Sequence, residues 1–174
     1  INFIKNSKTR PLKDSVKENI FNVITHSKIV NINFKKSQIL DLYSGVGSFG
    51  IECLSRGAQK VTFVENDKTA VKILRDNLIN LSVLNKTDVH NGDVEQILSQ
   101  NLKKKFDIFF FDPPFLDKKF SENLHIIKKL KMYKKEHIVV IHREKKTNDD
   151  LISKIKIFKI KIYGRSKIIF GVFN

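Results

Sequence analysis

The sequence predicts an α/β fold, with a mostly parallel, doubly wound sheet that ends in an antiparallel C-terminal hairpin. Short apolar segments alternate with amphipathic helical segments from residue 14 to residue 141. A glycine-rich turn directly follows the first apolar segment, and two strand-like segments flank the turn Gly164-Arg165-Ser166 near the C-terminus. Parallel strands need crossover helices whereas antiparallel neighbours need only a short turn, so both arrangements are expected in one sheet.

The predicted strands are short apolar runs. Residues 106–111 are apolar at almost every position, which is typical of a central strand covered on both faces. The other parallel strands are expected at residues 39–42, 61–65, 87–90 and 138–141. In the hairpin, residues 155–162, whose isoleucines are interspersed with lysines, are expected to pair with residues 167–173.

The predicted helices carry apolar residues at helical spacing. The first begins near Asp14 and has four apolar residues on one face, Val16, Ile20, Val23 and Ile24. The helix after the second strand is capped by Asn66 or Asp67. Its apolar stripe consists of Ala70, Val71, Leu74, Leu78 and Leu81. Further helices are expected at residues 52–56, 94–102 and 122–130.

Charge and composition limit the class of protein. The chain has 174 residues and a formal net charge of +15, which favours a polyanionic partner such as nucleic acid over a merely solvated lysine-rich surface. Cys53 is the single cysteine, and the histidines show no ligand spacing, so no disulfide framework and no metal site are expected. No apolar run is long enough to span a bilayer. We expect a cytoplasmic monomer without a metal.

The domain organisation is expected to be simple. The chain begins with Ile1 rather than Met. We interpret residues 1–12 as the remnant of a longer N-terminal extension and residues 13–174 as a single domain.

A glycine-rich loop and a distant acid predict a site for an adenosine-containing cofactor. Gly45, Gly47 and Gly50 spell GxGxxG, and Glu65 ends the next strand 20 residues after Gly45 (65 − 45). Glycines let the backbone approach a ligand closely, and a carboxylate can accept hydrogen bonds from both ribose hydroxyls. The alternative is a tight βα turn that binds nothing.

The residue at the first strand end favours one cofactor over another. Asp41 stands where a nicotinamide dinucleotide would bring its pyrophosphate, and a carboxylate repels that group. The same carboxylate suits S-adenosylmethionine, which carries an ammonium and a sulfonium. Asp93, after the third strand, is placed to accept a hydrogen bond from an adenine amino group. An NAD-dependent oxidoreductase is retained as an alternative because of the GxGxxG pattern.

The tetrapeptide Asp112-Pro113-Pro114-Phe115 predicts a second site. Prolines fix φ and lack an N–H, so the backbone there presents carbonyl oxygens. Asp112 and the Pro113 carbonyl can each accept one N–H of a nucleobase amine, which directs the nitrogen lone pair towards a methyl group, and Asp112 can take up the released proton. Phe115 can stack on a base removed from its helix or loop. The alternative is a rigid turn at the end of a strand.

These motifs resemble those of class I, SAM-dependent amino-methyltransferases with a Rossmann-like fold. The resemblance rests on residues 41–47 (DLYSGVG), Glu65, residues 91–93 (NGD) and residues 112–115 (DPPF). Within that class the chain resembles the bacterial 16S rRNA guanine-N2 methyltransferases of the RsmD family. The narrower resemblance is carried by four segments, Arg10-Pro11 and residues 16–22, 54–58 and 61–65.

The resemblance implies methylation of a guanine N2 amine in small-subunit rRNA, with S-adenosylmethionine as cofactor and a small ribosomal subunit or its precursor as partner. An adenine-N6 methyltransferase acting on DNA or RNA and a non-enzymatic RNA-binding module are alternatives. The predicted cofactor contacts are Asp41, Ser44, Gly45, Gly47, Glu65, Asn66, Gly92 and Asp93. The predicted catalytic residues are Asp112, Pro113, Pro114 and Phe115.

Four basic residues are candidate RNA contacts: Arg10, Lys118, Lys119 and Arg143. Lys118 and Lys119 are chosen because they follow the DPPF tetrapeptide directly. Arg143 belongs to the segment His142-Arg143-Glu144, which follows a predicted strand and is otherwise interpreted as ordinary surface.

Overall fold

The computed structural model describes residues 1–2, 12–100 and 102–174, and the described residues form one seven-stranded sheet with helices on both faces. The strands are β1 (Gln38–Leu42), β2 (Lys60–Glu65), β3 (Thr87–Asn91), β4 (Phe106–Phe111), β5 (Tyr133–Glu144), β6 (Lys156–Tyr163) and β7 (Ser166–Val172). The helices are α1 (Asp14–Thr25), α2 (Ser48–Ser55), α3 (Lys68–Asn80), α4 (Val94–Ser99) and α5 (Phe120–Lys129). Short 3₁₀ turns lie at Phe34–Lys36 and Leu84–Lys86.

The sheet order is β3-β2-β1-β4-β5-β7-β6. Strands β1 to β5 pair in parallel, and β7 pairs antiparallel with both β5 and β6. The predicted class, a mostly parallel sheet with an antiparallel C-terminal hairpin, is therefore confirmed.

Two apolar layers enclose the sheet. On one face α1, α2 and α3 pack against alternate residues of the central strands, with Phe21, Phe49 and Phe110 stacked in succession. On the other face α4 and α5 cover Phe109 and Phe111. Burial on both faces explains why β4 is apolar at nearly every position.

The elements differ from expectation mainly at their ends. β5 begins at Tyr133 and runs to Glu144, well beyond the predicted residues 138–141. Leu81, predicted in the buried stripe of α3, is wrongly assigned, because it follows the last helical residue and is exposed. α4 ends at Ser99, three residues before the predicted end at residue 102.

The topology defines where a ligand can bind. The chain runs outward from β1 to β3 on one side and through β4 and β5 on the other, so the order reverses between β1 and β4. In open α/β sheets the crevice beyond the carboxyl ends of the strands at such a point is the usual ligand site. Both sequence-predicted motifs lie there. Within the described ranges, no helix is long and apolar enough to cross a membrane.

Candidate active site

The loop between β1 and α2 has the backbone conformation that its glycines allow. Gly45 and Gly47 have φ of 54° and 85°, in the left-handed region that side chains disfavour. A Cβ on Gly47 would lie 2.4 Å from Leu74 Cδ1, whereas a Cβ on Gly45 would meet nothing within 4 Å. Gly47 is therefore required by packing against α3, and the backbone at Gly45 borders open space that a ligand can enter.

The third glycine has a different function. A Cβ on Gly50 would lie 2.3 Å from Phe63 Cε1, so this glycine lets α2 approach β2 closely. The Gly50 N–H donates to Asp41 Oδ2 at 2.9 Å. Asp41 thus ties the end of β1 to the first turn of α2.

Asp41 has an unsatisfied oxygen. The carboxylate is buried, and among the described residues its Oδ1 has no hydrogen-bond partner. Burial raises the pKa of Asp41 well above its ordinary value, and the nearby charges of Asp112 and Glu65 raise it further. A cationic ligand group, bound directly or through water, would satisfy this oxygen and favour the ionised form.

Glu65, at the end of β2, holds the glycine loop. Its Oε2 accepts from the Gly45 N–H at 2.7 Å, and its Oε1 accepts from the Asp67 N–H at 2.8 Å. Each carboxylate oxygen has two lone pairs, so both oxygens retain capacity for ligand hydroxyls. The carboxylate is therefore fixed at the loop before any ligand arrives.

The ends of β2 and β3 are joined through Asn91. Its side-chain amide donates to the carbonyls of Glu65 and Asn66, and the Gly92 N–H also donates to the Glu65 carbonyl. The predicted cofactor contacts at 65–66 and 92–93 are thereby brought together at one edge of the crevice.

Asp93 and Ser44 complete the predicted cofactor set. Asp93 caps α4, and its Oδ1 accepts from Glu95 and Gln96. Asp93 is exposed, and its Oδ2 is available to accept a hydrogen bond from a ligand. Ser44 donates its backbone N–H to the Val64 carbonyl, and its buried Oγ has no partner among the described residues. An open backbone, two carboxylates with spare acceptor capacity and two unsatisfied oxygens fit S-adenosylmethionine, which offers hydroxyl, amino and cationic groups.

The DPPF loop lies directly beside the glycine loop. The Asp112 N–H donates to the Leu42 carbonyl at 3.3 Å, which joins the end of β4 to the end of β1. Pro113 is buried and Pro114 is exposed. Phe115 is 40% exposed and Leu116 is 94% exposed, so apolar surface projects from the loop.

Arg143 does not lie where its predicted role requires. Its side chain is 1% exposed, so the prediction that it contacts RNA is wrong. Its guanidinium donates to the carbonyls of Pro114, Phe115 and Asp117 and to both oxygens of Asp149. It also packs over the ring of Phe120 at 4.4 Å. All of these bonds stay inside the protein, and they turn three loop carbonyls inward.

His142 is also not ordinary surface. It is 6% exposed, and its Nδ1 lies 2.8 Å from Asp112 Oδ1. Its Nε2 lies 2.9 Å from Ser166 Oγ, at the start of β7. No sequence motif links His142 to Asp112 or Ser166. The only available signal was that the histidine directly follows the strand beside β4.

The remaining basic candidates divide into two groups. Lys118 and Lys119 are exposed at the end of the loop, and the Lys119 N–H donates to Asp117 Oδ1. Arg10 lies outside the described residues. Within those residues, no group of three or more His, Cys, Asp or Glu side chains is arranged to hold a metal ion.

The fold and this site define a class I methyltransferase, whose cofactor is S-adenosylmethionine. The family model described as conserved hypothetical protein 95 matches residues 1–172. The chain belongs to that family, which is the RsmD type of methyltransferase.

Known relatives agree with this assignment. A ribosomal RNA small subunit methyltransferase D of Buchnera aphidicola is 32% identical over 148 residues, covering 85% of this chain and 72% of the relative. The solved structure of a presumed methylase, HI0767 of Haemophilus influenzae, superposes with a TM-score of 0.76 at 28% identity, covering 92% and 98% of the two chains. An RNA methyltransferase of Salinibacter ruber, solved with S-adenosyl-L-homocysteine, shares the fold with a TM-score of 0.65 at 16% identity over 95% of each chain.

Proposed function

We propose that the protein methylates the exocyclic N2 amine of a guanine in 16S rRNA, using S-adenosylmethionine. The observation that carries this proposal is the hydrogen bond from Asp112 to the Leu42 carbonyl, because it places the amine-binding loop beside the cofactor loop. The names of the relatives support an rRNA substrate. Family membership sets aside the oxidoreductase alternative.

The loop supplies two acceptors for one amine. In the described residues no hydrogen bond goes to the Pro113 carbonyl, whereas those of Pro114, Phe115 and Asp117 are held by Arg143. Asp112 has one carboxylate oxygen beyond the one held by His142. An aromatic amine has two N–H donors, and its lone pair is delocalised into the ring. Two acceptors favour a pyramidal nitrogen with an available lone pair.

The cofactor, when bound, supplies an activated methyl group on a positively charged sulfur. The chain aligns the amine for in-line attack, so the N–C bond forms as the S–C bond breaks. The methylated nitrogen then loses one proton, and Asp112 accepts it. Phe115 stacks on the extruded base, and its 40% exposure leaves a ring face for that contact.

On the cofactor side, the same residues fix position and charge. Glu65 would accept from ribose hydroxyls, and Asp93 would accept from the adenine amine. Asp41 and Ser44 hold the unsatisfied oxygens that a polar, cationic group requires. Gly45 lets the ligand approach the backbone.

We also propose that a rim of basic residues contacts the RNA backbone around the DPPF loop, which we call the target loop because it would hold the target base. The rim comprises the exposed residues Lys118, Lys119, Lys145, Lys146 and Arg165. The Lys145 N–H donates to the Arg165 carbonyl at 2.7 Å, so the turns after β5 and β6 lie side by side. Exposed cations in this position can pair with phosphates that flank the extruded base.

The proposed function is tested with labelled S-adenosylmethionine and small ribosomal subunits that lack the modification. Nucleoside analysis by mass spectrometry is expected to show N2-methylguanosine, and N6-methyladenosine would establish the adenine alternative instead. In Asp112→Ala the methylation rate is expected to fall by at least roughly 100-fold. Calorimetry is expected to show unchanged cofactor binding. Asp150→Ala, at an exposed acid outside the site, is the matched control, and full activity of Asp112→Ala would contradict the proposal.

A further inference from the structure

A row of hydrogen-bonded side chains crosses three strands at the carboxyl edge of the sheet. Asp112 follows β4, His142 lies on β5, and Ser166 begins β7. His142 Nδ1 is 2.8 Å from Asp112 Oδ1, and Nε2 is 2.9 Å from Ser166 Oγ. Both ring nitrogens are therefore engaged, and one end of the row is the acid of the target loop.

The strand register brings these side chains together. Phe111 of β4 lies opposite Ile141 of β5, so the next residues, Asp112 and His142, are neighbours. Glu144 lies opposite Ser166 in the antiparallel pair of β5 and β7. The row thus depends on β5 continuing beyond Ile141 and on the hairpin returning beside it.

The ring of His142 also contacts the second functional side chain of the loop. Its centroid lies 5.7 Å from that of Phe115, with the rings at 83°, an edge-to-face arrangement. A single buried side chain is therefore in contact with both the amine-binding acid and the base-stacking ring.

Chemistry assigns the direction of the hydrogen bonds. An ionised carboxylate only accepts, so Nδ1–H donates to Asp112. In the neutral ring, Nε2 then accepts from the Ser166 hydroxyl. Asp112 Oδ1 is occupied by this bond, which leaves Oδ2 for the substrate.

We propose that His142 is a positioning residue for methyl transfer and that Ser166 holds its ring. His142 fixes the rotation of the Asp112 carboxylate so that Oδ2 and the Pro113 carbonyl form a preset pair of acceptors. This inference rests on the proposed function, because it assumes that an amine is the group held by that pair.

Two substitutions distinguish the contributions of the two ring nitrogens of His142. The amide nitrogen of Asn, in His142→Asn, can occupy the position of Nδ1 and donate to Asp112. The longer side chain of Gln, in His142→Gln, reaches the position of Nε2, where its amide oxygen can accept from the Ser166 hydroxyl, and it keeps only the Ser166 hydrogen bond. We expect kcat to stay within roughly threefold of wild type in His142→Asn and to fall by roughly 10- to 100-fold in His142→Gln. Calorimetry is expected to give an unchanged cofactor Kd in both variants.

A double-mutant cycle tests whether His142 acts through Asp112. Single-turnover rates are measured with labelled S-adenosylmethionine and excess enzyme in wild type, His142→Gln, Asp112→Ala and the double variant. If His142 acts through the acid, His142→Gln adds no further loss in the Asp112→Ala background, which has no carboxylate for His142 to orient. Ser166→Ala, which leaves His142 intact, is expected to lower kcat by a few fold.

Two results would overturn the proposal. One is wild-type kcat in His142→Gln, and the other is an equal loss from His142→Gln with and without Asp112. Failure of the proposed function is distinguishable, because wild type itself would then give no methylated guanine in small subunits.

Discussion

At the scale of single residues, the site contains an acid whose placement opposes stability. Asp41 is buried with one carboxylate oxygen unsatisfied in the described structure, and the only hydrogen bond to its carboxylate there comes from the Gly50 N–H. Desolvation disfavours the charged form, which is why its pKa is raised. A cationic ligand reverses this penalty. We therefore expect the same carboxylate to couple stability to pH and, if it holds the cofactor as proposed, to cofactor binding.

We predict that Asp41→Asn removes a pH dependence of stability. An acid with a raised pKa in the folded state stabilises the fold fully below its ordinary pKa of 3.8, and that contribution is lost as pH rises through the folded-state pKa. The free energy of unfolding of wild type relative to Asp41→Asn should therefore decrease as pH rises above about 4. Urea denaturation at a series of pH values measures it, and calorimetry should show weaker cofactor binding by the variant.

The matched control is Asp150→Asn, at an exposed acid. Its stability curve should run parallel to that of wild type. If Asp41→Asn also ran parallel, the buried carboxylate would not be the source of the pH dependence.

The residues of the site that could be predicted from sequence are those with local signatures. Gly45, Gly47 and Glu65 are recognisable by spacing, and the two prolines mark the target loop. The buried roles of His142 and Arg143 could not be predicted, because a charged or polar residue after a strand is exposed by default. Asp112 is 30 positions from His142 and Pro114 is 29 positions from Arg143, and these residues come into contact through strand pairing.

At the scale of elements, β5 organises the target loop. Its last residues carry both His142 and Arg143, on opposite faces of the strand. Arg143 holds three loop carbonyls and is paired with Asp149 at 3.0 Å. The conformation of the target loop therefore depends on the buried guanidinium of Arg143.

We predict that Arg143→Lys loosens the loop without emptying the cofactor site. Lysine keeps the charge but cannot make the forked bonds, so the free energy of unfolding should fall by about 1–3 kcal/mol. kcat should fall while the cofactor Kd stays unchanged, and limited proteolysis should cut faster within residues 114–119. Lys145→Arg, at an exposed position nearby, is the control. A wild-type cleavage rate in Arg143→Lys would contradict the inference that Arg143 holds the loop in place.

β5 also anchors the C-terminal end of the chain. The His137 ring donates from Nδ1 to the Lys134 carbonyl and accepts at Nε2 from the Phe173 N–H, both at 2.8 Å. An amide can only donate, so the ring is held neutral, and burial lowers the pKa of His137. Charging this histidine would break the bond to Phe173.

We predict that this histidine makes the fold sensitive to mild acid. A base with a lowered folded-state pKa stabilises the fold above its ordinary pKa of 6.5, and that contribution is lost as pH falls below 6.5. The free energy of unfolding of wild type should therefore fall more steeply between pH 7 and 5 than that of His137→Gln, whose side-chain oxygen can still accept from Phe173. His125→Gln, at an exposed site on α5, should keep the wild-type slope in the same denaturation series.

At the scale of the whole molecule, the alternation of strands and helices was sufficient to predict a mostly parallel, doubly wound sheet with a C-terminal hairpin. Crossover connections are right-handed and parallel strands need them, so few arrangements remained. The start of β5 could not be predicted, because the charged run at residues 134–136 is typical of a polar loop. They extend the strand because Tyr133 pairs with Phe106 across an irregular register.

With a net charge of +15, only some of the basic side chains can contact the RNA directly. Lys118 and Lys119 lie at the carboxyl edge of the sheet. Lys35 and Lys36 are equally basic and exposed, but they precede β1 and lie at the opposite edge. If attraction were only global, removing either pair would weaken binding alike. If the rim makes direct phosphate contacts, the two pairs must differ.

We predict that Lys118→Gln/Lys119→Gln weakens binding to 16S rRNA and reduces the dependence of affinity on salt. Each lost phosphate contact lowers the slope of log K against log salt by about 0.7–0.9, because fewer counterions are released. The pair should therefore lower the slope by about 1.5, whereas Lys35→Gln/Lys36→Gln, with the same change in net charge, should leave it nearly unchanged. Filter binding across a salt series measures both slopes. Equal slopes for the two double variants would show that the rim acts only through net charge, because direct contacts at one edge cannot be replaced by cations at the other.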